Sequence, residues 1–238
     1  MSILKNSFSN YLEINLENIS YFISKIKELL LVYLKMMLVI LLIVFLINFI
    51  DLIIFQQSNF SFFKSVKKLQ DLNFNKLPVF FIVFLGPFME EIIFRLPLRF
   101  KKRNIVLSLS FLSIYFVGDK VVDINVFSLY TWIKIVPIVF IIILFYTCIK
   151  DSLLESINKK YFKTIFYLFT ISFGLIHIVN FYKIVPVNLV YLAPIFVLPQ
   201  ITLSFFVAYF RMKNGFIWGF FLHSLYNLPI TLFYFLKT

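Results

Sequence analysis

Two adjacent carboxylates, Glu90 and Glu91, stand inside an apolar run, Leu85-Gly86-Pro87-Phe88-Met89-Glu90-Glu91-Ile92-Ile93-Phe94-Arg95. A charged side chain at the centre of a membrane helix costs about 2.5–3.5 kcal/mol on insertion scales, so two in succession need a reason. Glu91 and Arg95 are four residues apart, which puts them on one helix face and within pairing reach. Glu90 then points about 100° away and is left for another task. Both histidines of the chain also sit in apolar runs. His177 closes Phe173-Gly174-Leu175-Ile176-His177, and His223 opens His223-Ser224-Leu225-Tyr226-Asn227. Asn227 therefore follows one helical turn along the face of His223.

The chemistry open to this set is activation of water. A glutamate near an imidazole in a low dielectric can take a proton from water, because burial brings the carboxylate toward neutrality. A second histidine with an amide one turn away offers donors to the oxyanion of a tetrahedral intermediate. Glu90, His177, His223 and Asn227 would suffice to hydrolyse an amide without a covalent step. Plainer readings stand beside this one. The carboxylates can belong to a buried ion-pair network that only fixes helix packing, and either histidine can be satisfied by a backbone carbonyl. A further enzymatic alternative is a zinc ion on His177, His223 and a glutamate, although the spacing is not that of a His-Glu-x-x-His helix.

Glu90-Glu91-x-x-x-Arg95, Phe173-x-x-x-His177 and His223-x-x-x-Asn227, in that order, resemble the signature of the CPBP family. That family comprises type II CAAX prenyl proteases, bacteriocin-processing enzymes and Abi proteins. Lys213-Asn214-Gly215-Phe216-Ile217-Trp218-Gly219-Phe220 resembles the family's lead-in to its last motif. The three motifs fall within residues 86–227. The resemblance implies that Glu90 acts with His177 on the attacking water and that His223 and Asn227 form the oxyanion hole. It also implies that Glu91 and Arg95 organise the site while Phe173 packs beneath His177 and orients it. The family's usual Gly after the motif Arg is replaced here by Leu96-Pro97, and residues 104–149 read as an insertion of two membrane segments.

The elements that must position these residues are membrane helices. Of the 238 residues, 61% are hydrophobic and 14% charged, with a mean hydropathy of +0.94; a soluble domain of this size would carry nearer ~25% charged residues. Backbone groups in lipid must be satisfied internally, and barrel-type alternation is absent, so the expected class is all-α. At ~20 apolar residues per crossing, about seven spans are expected, near 29–50, 77–98, 104–118, 131–149, 163–182, 187–210 and 214–236. Residues 1–28 form an amphipathic segment at the membrane surface, without the short apolar core of a cleaved signal peptide, and 29–238 form one domain. Gly86-Pro87 disfavours a continuous helix in the second span.

The net charge of +12 lies in short clusters between spans, such as Arg99 to Arg103 and Lys159 to Lys163. These read as topology signals and contacts to membrane lipid rather than as a nucleic-acid surface. With the N-terminus inside, fourteen Lys and Arg fall on the cytosolic side and eight outside, leaving out Arg95. The expected orientation is N-inside and C-outside, in a bacterial cytoplasmic membrane. The single Cys148 forms no disulfide and reads as packing. No cofactor motif occurs. The leading expectation is an intramembrane peptidase acting on a membrane-associated peptide or protein. The alternatives are a non-catalytic immunity or scaffold protein of the same fold, and a small transporter.

Overall fold

The computed structural model describes residues 2–58, 60–67, 77–117, 129–180 and 185–236, which are helical with no strand among them. Helix α1 runs unbroken from Ser2 to Ser58. No Gly or Pro occurs before Pro78, so nothing in the chain interrupts it. The amphipathic segment expected at 1–28 and the span expected at 29–50 are thus one helix. Its part from Ile19 to Gln56 holds a stretch apolar enough to cross a membrane and is 38 residues long. At 1.5 Å per residue that is ~57 Å, about twice a ~30 Å hydrocarbon core. Because α1 continues past residue 50, Asp51 is buried instead of lying at a span edge. Its carboxylate accepts the Ser61 hydroxyl (2.8 Å) and the backbone N–H groups of Phe62 and Phe63. It thereby meets the open donors at the start of the short helix α2 (62–67). Phe62 then stacks on Phe196 at 3.7 Å.

Helix α3 is a composite: π-helical Phe81–Leu85, α-helical Gly86–Glu90, π-helical Glu91–Arg95 and 3-10 Leu96–Leu98. Helix α4 is Lys102–Val117, α5 is Leu129–Cys148 and α6 is Asp151–Ile176. Helix α6 starts well before the expected span at 163–182. Asp151 to Lys163 contains no Gly or Pro, and the charged stretch is helical up to a kink at Tyr161 (φ −118°, ψ 18°). A 3-10 turn, His177–Asn180, ends it. The span expected at 187–210 is divided into 3-10 Val187–Leu192, α7 (Ala193–Phe196) and α8 (Leu198–Asn214). The break falls at Val197, with Pro199 in the first turn of α8. Gly215 (φ 100°) occupies the left-handed region that glycine tolerates best, turning the chain directly into α9 (Phe216–Phe235).

Four helices are long and apolar enough to cross a membrane: Ile19–Gln56, Asp151–Val179, Val187–Asn214 and Phe216–Phe235; α5, with 20 residues, is also apolar. Seven crossings of that length are not present among the described residues. Helix α3 is divided by its π-turns, and α4 has 16 residues. Of the lysines counted for topology, Lys68, Lys76, Lys120, Lys183 and Lys237 lie outside the described residues. Large side chains such as Leu38, Phe45 and Phe140 point outward, as a lipid-facing surface requires. Beneath α3, a core of Met36, Ile40, Phe173, Val207, Phe210 and Leu222 joins α1, α6, α8 and α9. Gly174 lets α6 close onto α8, since a Cβ there would collide with the side chain and backbone of Ile201.

Candidate active site

The π-turns of α3 present its carboxylates. In the first turn the N–H of Gly86 reaches back to the carbonyl of Phe81, and Pro87 has no N–H to give. The carbonyl of Ile82 is left without a helical donor, and the side-chain amide of Asn227 donates to it at 3.1 Å. The second turn closes from the N–H of Leu96 to the carbonyl of Glu91. Pro97 then removes the usual α-helical donor to Ile93, and the hydroxyl of Ser108 on α4 donates to that carbonyl instead. Each irregularity is thus supported by a polar side chain from another helix, as a broken helix in lipid requires. π-Turns of this kind are often found at functional sites.

Glu91 is fully buried and is held by three groups. Arg95 Nη1 lies 3.1 Å from Oε1, His223 Nδ1 lies 3.1 Å from the same oxygen, and Arg211 Nη1 lies 3.7 Å from Oε2. Arg211 also donates to the backbone carbonyl of Glu91 at 3.0 Å. A carboxylate only accepts, so the Nδ1 that faces Glu91 carries a proton, and Nε2 is the nitrogen of His223 left for other work. That Nε2 lies 3.5 Å from Oε2 of Glu90. Glu90 retains 27% side-chain exposure where Glu91 has none. The two neighbours are therefore distinct: one carboxylate is locked in charge pairs and one is open.

Phe173 is the hub on the α6 side. Its buried ring lies 3.7 Å under the guanidinium of Arg95, 4.7 Å from the ring of His177 and edge-on to His223 at 5.8 Å. A desolvated cation over a ring contributes ~2 kcal/mol. His177 caps α6, and its Nδ1 contacts the carbonyl of Phe173 at 2.7 Å. The carbonyl can only accept, so Nδ1 is the protonated nitrogen and Nε2 carries the lone pair.

The structure brings Glu90, Glu91, Arg95, Phe173 and His223 together directly. His177 joins them through Phe173 rather than through a bond to Glu90. Asn227 is anchored at the π-turn ahead of Glu90, and its second amide hydrogen meets no acceptor among the described residues. Among the described residues, no three His, Cys, Asp or Glu side chains are grouped as a metal ion would need.

Arg211 is the member of the cluster that sequence reasoning missed. It stands in the last turn of α8 beside Lys213 and reads as one more interfacial charge, yet it is buried. Gly219 is the one local signal: a Cβ there would stand 2.6 Å from the Cβ of Arg211. The glycine lets α9 pass over the arginine and seal it in. No family model, curated protein or solved structure matches the chain.

Proposed function

We propose that this chain is an intramembrane peptidase of the glutamate type, related to the CPBP proteases, that hydrolyses a peptide bond of a membrane-associated peptide or protein. The observation that carries the reading is the row Glu90–His223–Glu91, with one carboxylate open and the other clamped by Arg95 and Arg211. Glu90 takes a proton from water, whose oxygen attacks the carbonyl carbon. The oxyanion is met by Nε2–H of a doubly protonated His223, whose Nδ1–H stays on Glu91, and by the free amide hydrogen of Asn227. Glu90 then passes the proton to the amide nitrogen as the C–N bond breaks, leaving a carboxylic acid and an amine. His177, with the lone pair of Nε2 available, assists in holding the water, and Glu91 holds the ring of His223 in register. Preorganised donors and a positioned base of this kind are each worth about 10²–10⁴-fold in rate.

On this reading α3, α4 and α5 cross the membrane beside the four helices Ile19–Gln56, Asp151–Val179, Val187–Asn214 and Phe216–Phe235. The chain has its N-terminus inside and its C-terminus outside a bacterial cytoplasmic membrane. The test compares the membrane peptides of cells expressing the wild type and Glu90→Gln at equal protein levels. At least one new chain end should appear with the wild type and vanish with the variant, in the presence or absence of a zinc chelator. Identical peptide profiles would overturn the proposal in favour of a non-catalytic binding protein.

A further inference from the structure

Charge and cavity meet at a second place, where α4 begins, α5 ends and α6 begins. A cavity of about 490 Å³ is lined there by Lys101, Lys102 and Arg103, and by Asp151 and Glu155. Lys102 and Asp151 form one loose ion pair, and Lys101, Arg103 and Glu155 make none among the described residues. Lys102 Nζ stands 3.9 Å from Asp151, beyond hydrogen-bond length. Phe100 forms a wall of this cavity and also of a second, apolar one of about 210 Å³. The second cavity is bounded by Pro97, by Ile105 and Leu112 on α4 and by Phe169 on α6. Leu112 lies ten residues beyond Lys102 on the same helix, which is ~15 Å of rise and half of a ~30 Å hydrocarbon core. A charged cup at the end of the bundle and an apolar cleft beside it therefore share Phe100 as a common wall.

We propose that the two cavities together bind one phospholipid with an amine-bearing, zwitterionic headgroup. Three cations suit a phosphate, and two carboxylates suit a primary ammonium, while the cleft takes an acyl chain. A headgroup without a cation would leave Asp151 and Glu155 facing phosphate uncompensated. A quaternary amine has no N–H to donate to them.

The test uses the full-length protein in mild detergent and native mass spectrometry. The protein is offered an equimolar mixture of phosphatidylethanolamine, phosphatidylglycerol and phosphatidylcholine with identical chains. One phosphatidylethanolamine should be retained with about fivefold enrichment, the scale of a single interfacial charge contact. Asp151→Asn with Glu155→Gln, at exposed positions, should remove the preference over phosphatidylglycerol. Leu112→Trp, which fills the cleft, should lower retention of all three lipids. Soluble phosphoethanolamine should not displace the bound lipid. Equal retention of the three lipids by the wild type would overturn the proposal, as would an enrichment indifferent to the carboxylate variants. Displacement by the free headgroup would overturn the part played by the cleft.

Discussion

Glu90 and Glu91 are chemically identical and adjacent, yet their surroundings give them opposite duties. Glu91 balances Arg95 and Arg211 where no solvent reaches, so removing its charge strands two buried guanidinium groups. Breaking a buried pair by removing one partner costs about 3–5 kcal/mol. Glu91→Gln should therefore lower the melting temperature sharply and reduce the amount of protein in the membrane. Glu90→Gln should leave the melting temperature close to the wild type while abolishing hydrolysis. Thermal unfolding of the two variants in the same detergent checks this; equal destabilisation would mean that Glu90 is part of the structural network. The Glu91–Arg95 pairing was legible from a spacing of four. The contact with Arg211 was not, because it joins residues 120 apart in the chain.

At the scale of elements, the interruptions in α3 are built rather than tolerated. Asn227 supplies the donor that Gly86 and Pro87 withhold from Ile82. An unmet buried carbonyl costs about 1–3 kcal/mol, so Asn227→Ala should be destabilising to that extent. Adding Pro87→Ala restores an N–H in the π-register of Ile82 and should recover most of that stability. Activity should not recover, because the second amide hydrogen of Asn227 would still be missing. Melting temperatures and peptide-cleavage rates across the four proteins of this cycle separate the two roles. Recovery of both quantities together would make Asn227 purely structural.

The contact of α6 with α8 is just as exacting. Gly174→Ala drives a methyl group into Ile201, an overpacking change of about 1–3 kcal/mol. Because Phe173 is the adjacent residue and touches Arg95, His177 and His223, the variant should lose more in turnover than its stability loss explains. Cleavage rates measured well below its melting temperature are the check, and an unchanged rate would remove Phe173 as the link. The discontinuity expected at Gly86-Pro87 takes the form of a π-turn, with the backbone helical on through both residues; the two π-turns and the split of the expected 187–210 span depend on which carbonyls other helices can satisfy.

For the molecule as a whole, orientation can be read with the one native thiol. Cys148 is exposed at the end of α5, next to the basic stretch beginning at Lys150. With the N-terminus inside, a membrane-impermeant maleimide should label Cys148 in inverted membrane vesicles and not in intact cells. Labelling of intact cells would reverse the proposed topology. The ~57 Å of α1 from Ile19 to Gln56 exceeds one bilayer core, and Lys25, Lys27 and Glu28 stand in its first part. Lys25 and Glu28 within α1 bond to Lys213 and Asn214 at the end of α8, and Phe22, one turn earlier, meets Trp218 of α9.

The all-helical class follows from the sequence alone, because a chain with this share of apolar residues must satisfy its own backbone in lipid. So does the list of candidate groups, because ionisable side chains inside apolar runs are too costly to be incidental. Tertiary structure decided what those groups do to one another. It set Arg211 against Glu91, turned His223 between two carboxylates, joined His177 to them through Phe173, and gave Asn227 a carbonyl of α3 to hold. Each of these depends on the packing of helices far apart in the chain, and local spacing carries no record of which faces will meet.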